Sequence, residues 1–277
     1  MKTAAYQNEQ VMCQYFNASF TGEMISMNEQ VHVIDASFIN NPVAEQQVTP
    51  ARIGVGRAGL RPLTKSWLKF RYDHASAVDA VNSEVSNHFI EKMQWQTLKT
   101  KAQDQETYIR RPDLGRKLCE QSRASLIQHG KRNVKVQILV SNGLSATAVE
   151  ANAEDVYLSL CQSLDNLNIE YAPTYYIERG RVGLMDDIGE LLQAEVIVYL
   201  IGERPGLLSA ESMSVYMCYR PNTNTIESDR LVVSNIHQNG FLPVEAGAYV
   251  STLVEKMLHY HASGVMLQTL ERESGIV

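Results

Sequence analysis

Two stretches of this 277-residue chain carry residue types at spacings that chemistry uses. The first is "GERPG" at 202–206, where Glu203 and Arg204 leave the apolar run "VIVYLIG", whose one polar group is Tyr199. It reads either as a surface turn with a local ion pair, worth little to stability, or as a carboxylate and a guanidinium aimed at a polar ligand. The second is "RIGVGRAGLRP" at 52–62, whose Gly54, Gly56 and Gly59 have the G-x-G-x-x-G spacing that wraps backbone around a pyrophosphate. That chemistry needs a strand before the first glycine and a helix at the last, with an acidic residue about 20 positions on. Here Pro50 sits four residues before Gly54, and Asp79, at the right distance, lies inside a helical run. The context therefore excludes a dinucleotide cradle. G-x-x-x-x-G-K-[ST] and G-x-S-x-G are both absent, which disfavours phosphate-loop and hydrolase chemistry.

The seven histidines give little. His259 and His261 are two apart on a helix and point to different faces, so they cannot chelate together. His74 and His88 also fall on helices. His237 differs, because "SNIHQNG" follows a strand, and it is retained as a candidate with Asn235. Asp186 and Asp187 read as helix caps rather than as an acid/base pair.

These residues need elements to position them. From about residue 133, apolar runs alternate with helical patterns. "VKVQILV" is a strand ending in "SNG", and "TAVEANAEDVYLSLCQSL" is a helix capped by Thr147 and Glu150. "TYYIERGRVG" is a strand with a turn, and "DDIGELLQA" a helix with Asp187 and Glu190 as caps. "EVIVYLIG", "MSVYMCYR" and "LVVSNI" are three more strands. A last helix runs from Pro243, a proline suited to a first turn, to about His261. Alternation of this kind predicts an α/β fold, a parallel Rossmann-like sheet flanked by helices. In such sheets ligands sit beyond the carboxyl ends of the strands, at "SNGLS", "ERGRVG", "GERPG" and "SNIHQNG". Residues 60–125 read as a smaller helical region before the sheet, with no Gly or Pro between Pro62 and Pro112 and a short helix at "RRPDLGRKL". Residues 1–50, rich in Gln, Asn, Ser and Met, read as a poorly ordered extension with a short strand near "VHVID". It is either a dispensable tail or a targeting or docking segment. The predicted organisation is therefore 1–50 extension, 51–125 helical region and 126–277 α/β domain.

Composition limits the partners. Hydrophobic residues are 44% and charged residues 20%, with a net charge of −6, which argues against nucleic acid. The four cysteines, Cys13, Cys119, Cys161 and Cys218, form no C-x-x-C and read as reduced thiols. No window approaches 18 consecutive apolar residues, and the first residues lack a cationic start with an apolar run, so neither a membrane span nor a secretory signal is expected.

Taken together, "IGVGRAGLRP", "RPDLGRKL", "ILVSNGLSATAVEANAED", "RGRVGLMDDIGELL", "VYLIGERPGLLSAESMSVYM" and "ESDRLVVSNIHQNGFLPVEAGAYV" resemble the small (light) subunit of ethanolamine ammonia-lyase. The stretches run in order from residue 53 to residue 250, and the resemblance extends to about 268. The resemblance implies an ammonia-lyase active only as a hetero-oligomer with a large barrel subunit, with adenosylcobalamin held between the two. In that family the cobalt–carbon bond breaks homolytically, the adenosyl radical takes hydrogen from ethanolamine, the amino group migrates, and acetaldehyde and ammonia leave. The catalytic side chains belong to the large subunit, so the resemblance implies no catalytic residue and no metal ligand in this chain. It implies cofactor contacts at Val182 in "RGRVG", Glu203 in "GERPG" and Val232 in "SDRLVVSNI". At position 232 the familiar motif has Cys, so what carries over is a backbone or van der Waals contact. The D-x-H-x-x-G signature that offers a histidine to cobalt elsewhere is missing, since Asp73-His74 lacks the glycine. Arg57 and Arg61 are expected to face the large subunit. The location implied is cytoplasmic, free or inside a bacterial microcompartment. The reading this displaces is a nucleotide-cofactor oxidoreductase of doubly wound type, which the missing fingerprint in the sheet region argues against.

Overall fold

The computed structural model describes residues 52–275 apart from Leu208. The strand expected at "VHVID", and the rest of the 1–50 extension, lie outside the described residues. The chain divides into two compact units, Met1–Leu63 and Thr64–Val277.

In the first unit, β1 (Arg57–Ala58) and β2 (Arg61–Pro62) pair antiparallel. Gly54, Gly56 and Gly59 all have positive φ, at 61°, 77° and 65°. Gly59 thus supplies the left-handed backbone of the two-residue hairpin loop, Gly54 and Gly56 lie before β1, and the Leu63 N–H closes the hairpin on the Gly56 carbonyl.

The second unit opens with α1 (Thr64–Asn82) and α2 (Asn87–Lys92). The stretch read as continuously helical then breaks, because "QTLK" forms β3 (Gln96–Lys99), an edge strand of the main sheet. Left-handed Gln94 ends the helical run, and parallel pairing with a neighbour fixes Leu98 as a buried strand residue. Here a sheet partner distant in sequence outweighs local periodicity. α3 (Gln105–Arg110) and a 3₁₀ turn at Leu114–Arg116 follow, then α4 (Glu120–His129).

The remaining elements are β4 (Val136–Ser141), α5 (Ala146–Asn166), β5 (Tyr171–Glu178), α6 (Leu184–Leu192), β6 (Val196–Gly202), β7 (Met213–Tyr219), β8 (Arg230–Ile236), α7 (Pro243–Tyr260) and α8 (Gly264–Glu273). Helix α8 falls beyond the last helix expected. The six-stranded sheet has the order β3-β5-β4-β6-β7-β8. Its first four strands are parallel, but β7 is antiparallel to both β6 and β8. The fully parallel expectation is corrected here to a mixed sheet. The reason is connection length: residues 203–212 join β6 to β7 with no helix among the described residues, and a parallel crossover needs about a dozen residues or more. Because β8 reverses direction again, its carboxyl end returns to the edge where β4, β5 and β6 end.

Two apolar clusters cover the two faces. On the first, Val136, Ile138, Val140, Val198, Val215 and Ile236 meet α5 and α7. On the second, Leu139, Ile177, Ile197 and Tyr199 meet Leu126 of α4 and Leu184, Ile188 and Leu192 of α6. The expected caps also move. Helix α5 is capped by Ser145, whose hydroxyl accepts from the Ala148 N–H, not by Thr147 and Glu150. Asp187 is no cap but a buried staple: it accepts from the Leu118 N–H at 3.0 Å and pairs with Arg123 at 2.9 Å and Lys117 at 3.3 Å. Asp186 pairs with Arg230 at 2.6 Å, tying α6 to the start of β8. Cys119, Cys161 and Cys218 are free thiols, and burial pushes Cys218 up to about 11.

Burial raises the phenols of Tyr108 (to about 12), Tyr175, Tyr176, Tyr199 and Tyr216. Each is favoured neutral in the folded chain, so their stabilising contribution is full below the free-phenol value of 10.0 and is lost as pH rises through the raised values. Alkaline titration followed by tyrosinate absorbance and circular dichroism is expected to show delayed phenol ionisation, arriving together with unfolding. Ionisation of all tyrosines near pH 10 with the fold intact would contradict this packing.

Candidate functional site

The carboxyl edge of the sheet is built outward from the end of β4. Ser141 ends β4 and Asn142 follows it, and both are buried polar residues. Ser141 Oγ accepts from the Gly180 N–H at 3.0 Å, and Asn142 Oδ1 accepts from the Arg179 N–H at 2.8 Å. The loop "RGRVG" is therefore pinned through its own amides. Its other ties are the Tyr108 hydroxyl donating to the Gly180 carbonyl at 2.9 Å and the Arg181 N–H donating to the Gly115 carbonyl at 2.8 Å. The Arg181 guanidinium lies over the Tyr108 ring at 4.1 Å and donates to the Tyr108 carbonyl. Left-handed Arg179 pairs with Glu84 and Glu178. A side chain at Gly180 would collide with the Tyr199 hydroxyl.

The same strand end positions "GERPG". The Gly202 carbonyl accepts from the Leu144 N–H, and a Cβ at Gly202 would lie 2.1 Å from the Ser145 carbonyl oxygen and 2.4 Å from that of Asn142. Only glycine lets the two loops cross this closely. Glu203, the next residue, is half-buried; its N–H donates to the Ser212 carbonyl, and its Oε1 accepts a short hydrogen bond from the Ser214 hydroxyl. Among the described residues Glu203 makes no ion pair with Arg204, which is exposed, so the turn-with-ion-pair reading of this loop fails.

Ser214 also decides which way Glu203 faces. On β7, Met213, Val215 and Met217 belong to the first cluster, so Ser214 and Tyr216 look to the second face. Tyr216 stands opposite Val232 of β8, on a rung that runs through Tyr175, Leu139 and Tyr199. The second cluster takes one buried residue from β7, Cys218, and none from β8. The β7–β8 end of this face is accordingly open: Val232 is 50% exposed and Tyr216 is partly buried. Burial, then the Glu203 and Glu227 carboxylates, raise the Tyr216 phenol and keep it a hydroxyl donor. Val182 packs on the same cluster, and its carbonyl accepts from the Met185 N–H at the start of α6.

Of the residues singled out in the sequence, Val182, Glu203 and Val232 therefore share one face near one edge. Asn235 and His237 do not join them. Asn235, at φ 61°, makes the bulge opposite Ser214. His237 Nδ1 accepts from the Asn239 N–H at 3.2 Å, which leaves Nε2 protonated to donate to Asn235 Oδ1 at 2.8 Å. Both ring nitrogens are thus consumed inside their own loop. Sequence reasoning missed Ser214 and Tyr216; their signal was the two-residue alternation in "MSVYMCY", which puts a serine and a tyrosine on the face away from Met213, Val215 and Met217.

Comparison with known proteins identifies the family. Residues 41–268 match the ethanolamine ammonia-lyase light chain (EutC) family. The chain is 47% identical over 220 residues to the ethanolamine ammonia-lyase small subunit of Lachnoclostridium phytofermentans, covering 79% of this chain and 74% of that protein. It is 46% identical to the small subunit of Clostridium tetani, with the same coverage. Against that of Listeria monocytogenes it is 44% identical over 223 residues, covering 80% of this chain and 76% of the relative.

The crossing at Gly202 gives a direct check. Gly202→Ala places a methyl group against two backbone carbonyls, and overpacking against backbone costs about 2 kcal/mol or more. Thermal unfolding is expected to fall by several degrees. An unchanged midpoint would show that the loops do not cross as described.

Proposed function

Because the chain belongs to the ethanolamine ammonia-lyase light chain family, we propose that it is the cofactor-holding subunit of an adenosylcobalamin-dependent lyase that deaminates ethanolamine. In this reading the large subunit supplies the substrate pocket and closes over the cofactor. When bound, adenosylcobalamin supplies the homolytic cobalt–carbon cleavage that starts the rearrangement.

The residues present suit such a group. A corrin is a flat, largely apolar disc rimmed with neutral amides, so a host needs open apolar surface with hydrogen-bond acceptors at its margin. Val232, Tyr216 and Val182 offer the surface, and Glu203 offers the acceptor. Ser214 engages Oε1, and Oε2 makes no bond among the described residues. Glu203 would accept from the amide rim, a charge-assisted bond stronger than a neutral one. Val232 would act by van der Waals contact, and Val182 through its backbone or by packing. The observation that carries the reading is the Glu203 carboxylate held by Ser214 beside the open β7–β8 face.

No helix among the described residues is long and apolar enough to cross a membrane. We place the chain in the cytoplasm, free or packaged in a bacterial microcompartment.

Glu203→Ala in the assembled enzyme is expected to raise the cobalamin dissociation constant about tenfold or more, the value of one lost charged hydrogen bond, with subunit assembly intact. An unchanged constant would make the chain a scaffold that docks the large subunit without clamping the cofactor. Deamination by the isolated chain would overturn the division of labour itself.

A further inference from the structure

We propose that the outward face of α1 is a docking surface for the large subunit, whose matching face offers carboxylates around an apolar groove; this rests on the reading of the chain as the small subunit.

Helix α1 has two faces at helical spacing. Ser66, Phe70, Asp73, Ala77, Ala80 and Val81 recur every three or four residues and are its least exposed positions. A helix with one stripe turned inward normally presents polar residues on the other. Instead Trp67 is 48% exposed, Leu68 51%, Tyr72 75% and Val78 44%. Leu68 and Tyr72, four apart, are neighbours on the opposite side, and Trp67 and Val78, eleven apart, line its flank. Trp67, Leu68 and Tyr72 sit within two turns of α1, and exposed apolar side chains grouped in this way mark an interaction site.

Charge states the chemistry of what covers it. From residue 52 to residue 72 the sequence holds six cations, Arg52, Arg57, Arg61, Lys65, Lys69 and Arg71, and no carboxylate. Of the chain's 25 cations these are six, leaving 19 elsewhere against 31 carboxylates. On α1, Lys65 and Lys69 flank the apolar stripe without an ion pair among the described residues, and Arg71 sits 6.0 Å from the centre of the Trp67 ring. A basic border around exposed aromatics suits an acidic rim around an apolar floor.

Position selects the large subunit as the occupant. The chain leaving α1 is tied to the carboxyl edge of the sheet: Glu84 pairs with Arg179 at 2.5 Å, and Gln105 Nε2 donates to the Val81 carbonyl at 2.6 Å. Arg179 opens the "RGRVG" loop that carries Val182. A partner lying over that edge to enclose the cofactor therefore meets the end of α1 and can continue along it.

The test uses the full chain and the purified large subunit. Two variants are compared with wild type: Lys65→Glu/Lys69→Glu/Arg71→Glu, and Trp67→Ala/Leu68→Ala/Tyr72→Ala. All six side chains are exposed, so both variants are expected to unfold at the wild-type temperature. The expected result is a wild-type complex that deaminates ethanolamine, with subunit affinity at least about tenfold weaker in each variant. Charge reversal should also flatten the salt dependence of association, whereas the apolar variant should keep it. Wild-type affinity in both variants would overturn the docking assignment and leave the small-subunit reading standing. A dimer of the isolated chain, lost in both variants while large-subunit affinity holds, would also overturn it and make a second copy the occupant. Failure of the wild-type chain to bind the large subunit would remove the small-subunit reading, and this inference with it.

Discussion

The carboxyl edge depends on two polar side chains at the end of one buried strand. Ser141 and Asn142 terminate β4, the central parallel strand, and each accepts a hydrogen bond from a backbone amide of the neighbouring loop. Without them, the amides of Arg179 and Gly180 would be buried with no partner, at a cost of about 1–3 kcal/mol each. The fold thus converts the rigidity of a six-stranded sheet into rigidity of an irregular segment. The reciprocal crossing on the other side works by absence: Gly202 has no Cβ, and Gly143 approaches the Gly202 carbonyl in a left-handed conformation. One strand end therefore fixes both loops that carry Val182 and Glu203.

How much of this could be read from the sequence follows from the range of the interactions involved. Strands β4, β5 and β6 were legible because buried parallel strands are near-continuous apolar runs. The helices α5, α6 and α7 were legible from period and flanking signals. What escaped depended on partners far away in sequence. Nothing local in "QTLK" announces that it will pair with Tyr175–Glu178, seventy-nine positions on, to become β3. The direction of β7 was written in the helix-free connection before it, a signal that the alternation rule overrode. Asp187 looked like a cap because acidic residues favour a first helical turn, yet cations from another segment and the Leu118 amide claim it. In the candidate site, Glu203 stood out by type, but the residue that aims it, Ser214, is visible only once β7 is known to run back alongside β6.

The sheet's second face is finished at one end and unfinished at the other. Helices α4 and α6 seal it over Leu139, Ile197 and Tyr199. Toward β8 the same face offers Tyr216 and a half-exposed Val232. The Asp186–Arg230 pair holds the boundary between the two regions. Its Arg230 side chain is 4% exposed and its Asp186 side chain 16%; removing Arg230 would take the ion-pair partner from a partly buried carboxylate, whereas Arg230 also pairs with Glu227 at 3.0 Å. Such a pair adds little net stability over an apolar substitute but fixes geometry, here the angle at which β8 leaves α6. The same logic separates His237 from Glu203. Both sit in loops beyond strand ends, but the histidine spends both nitrogens on its own loop, while the carboxylate keeps an oxygen free of bonds among the described residues.

Preorganisation suits this edge to holding a group. Residues 179–182 and 202–203 are tethered by backbone hydrogen bonds to the sheet and to neighbouring loops. A site of this kind loses little conformational entropy when it binds, because its loops are already ordered, and that saving appears directly as affinity. In the proposed reading, the chemistry would come from what is bound and from the surface that closes over it.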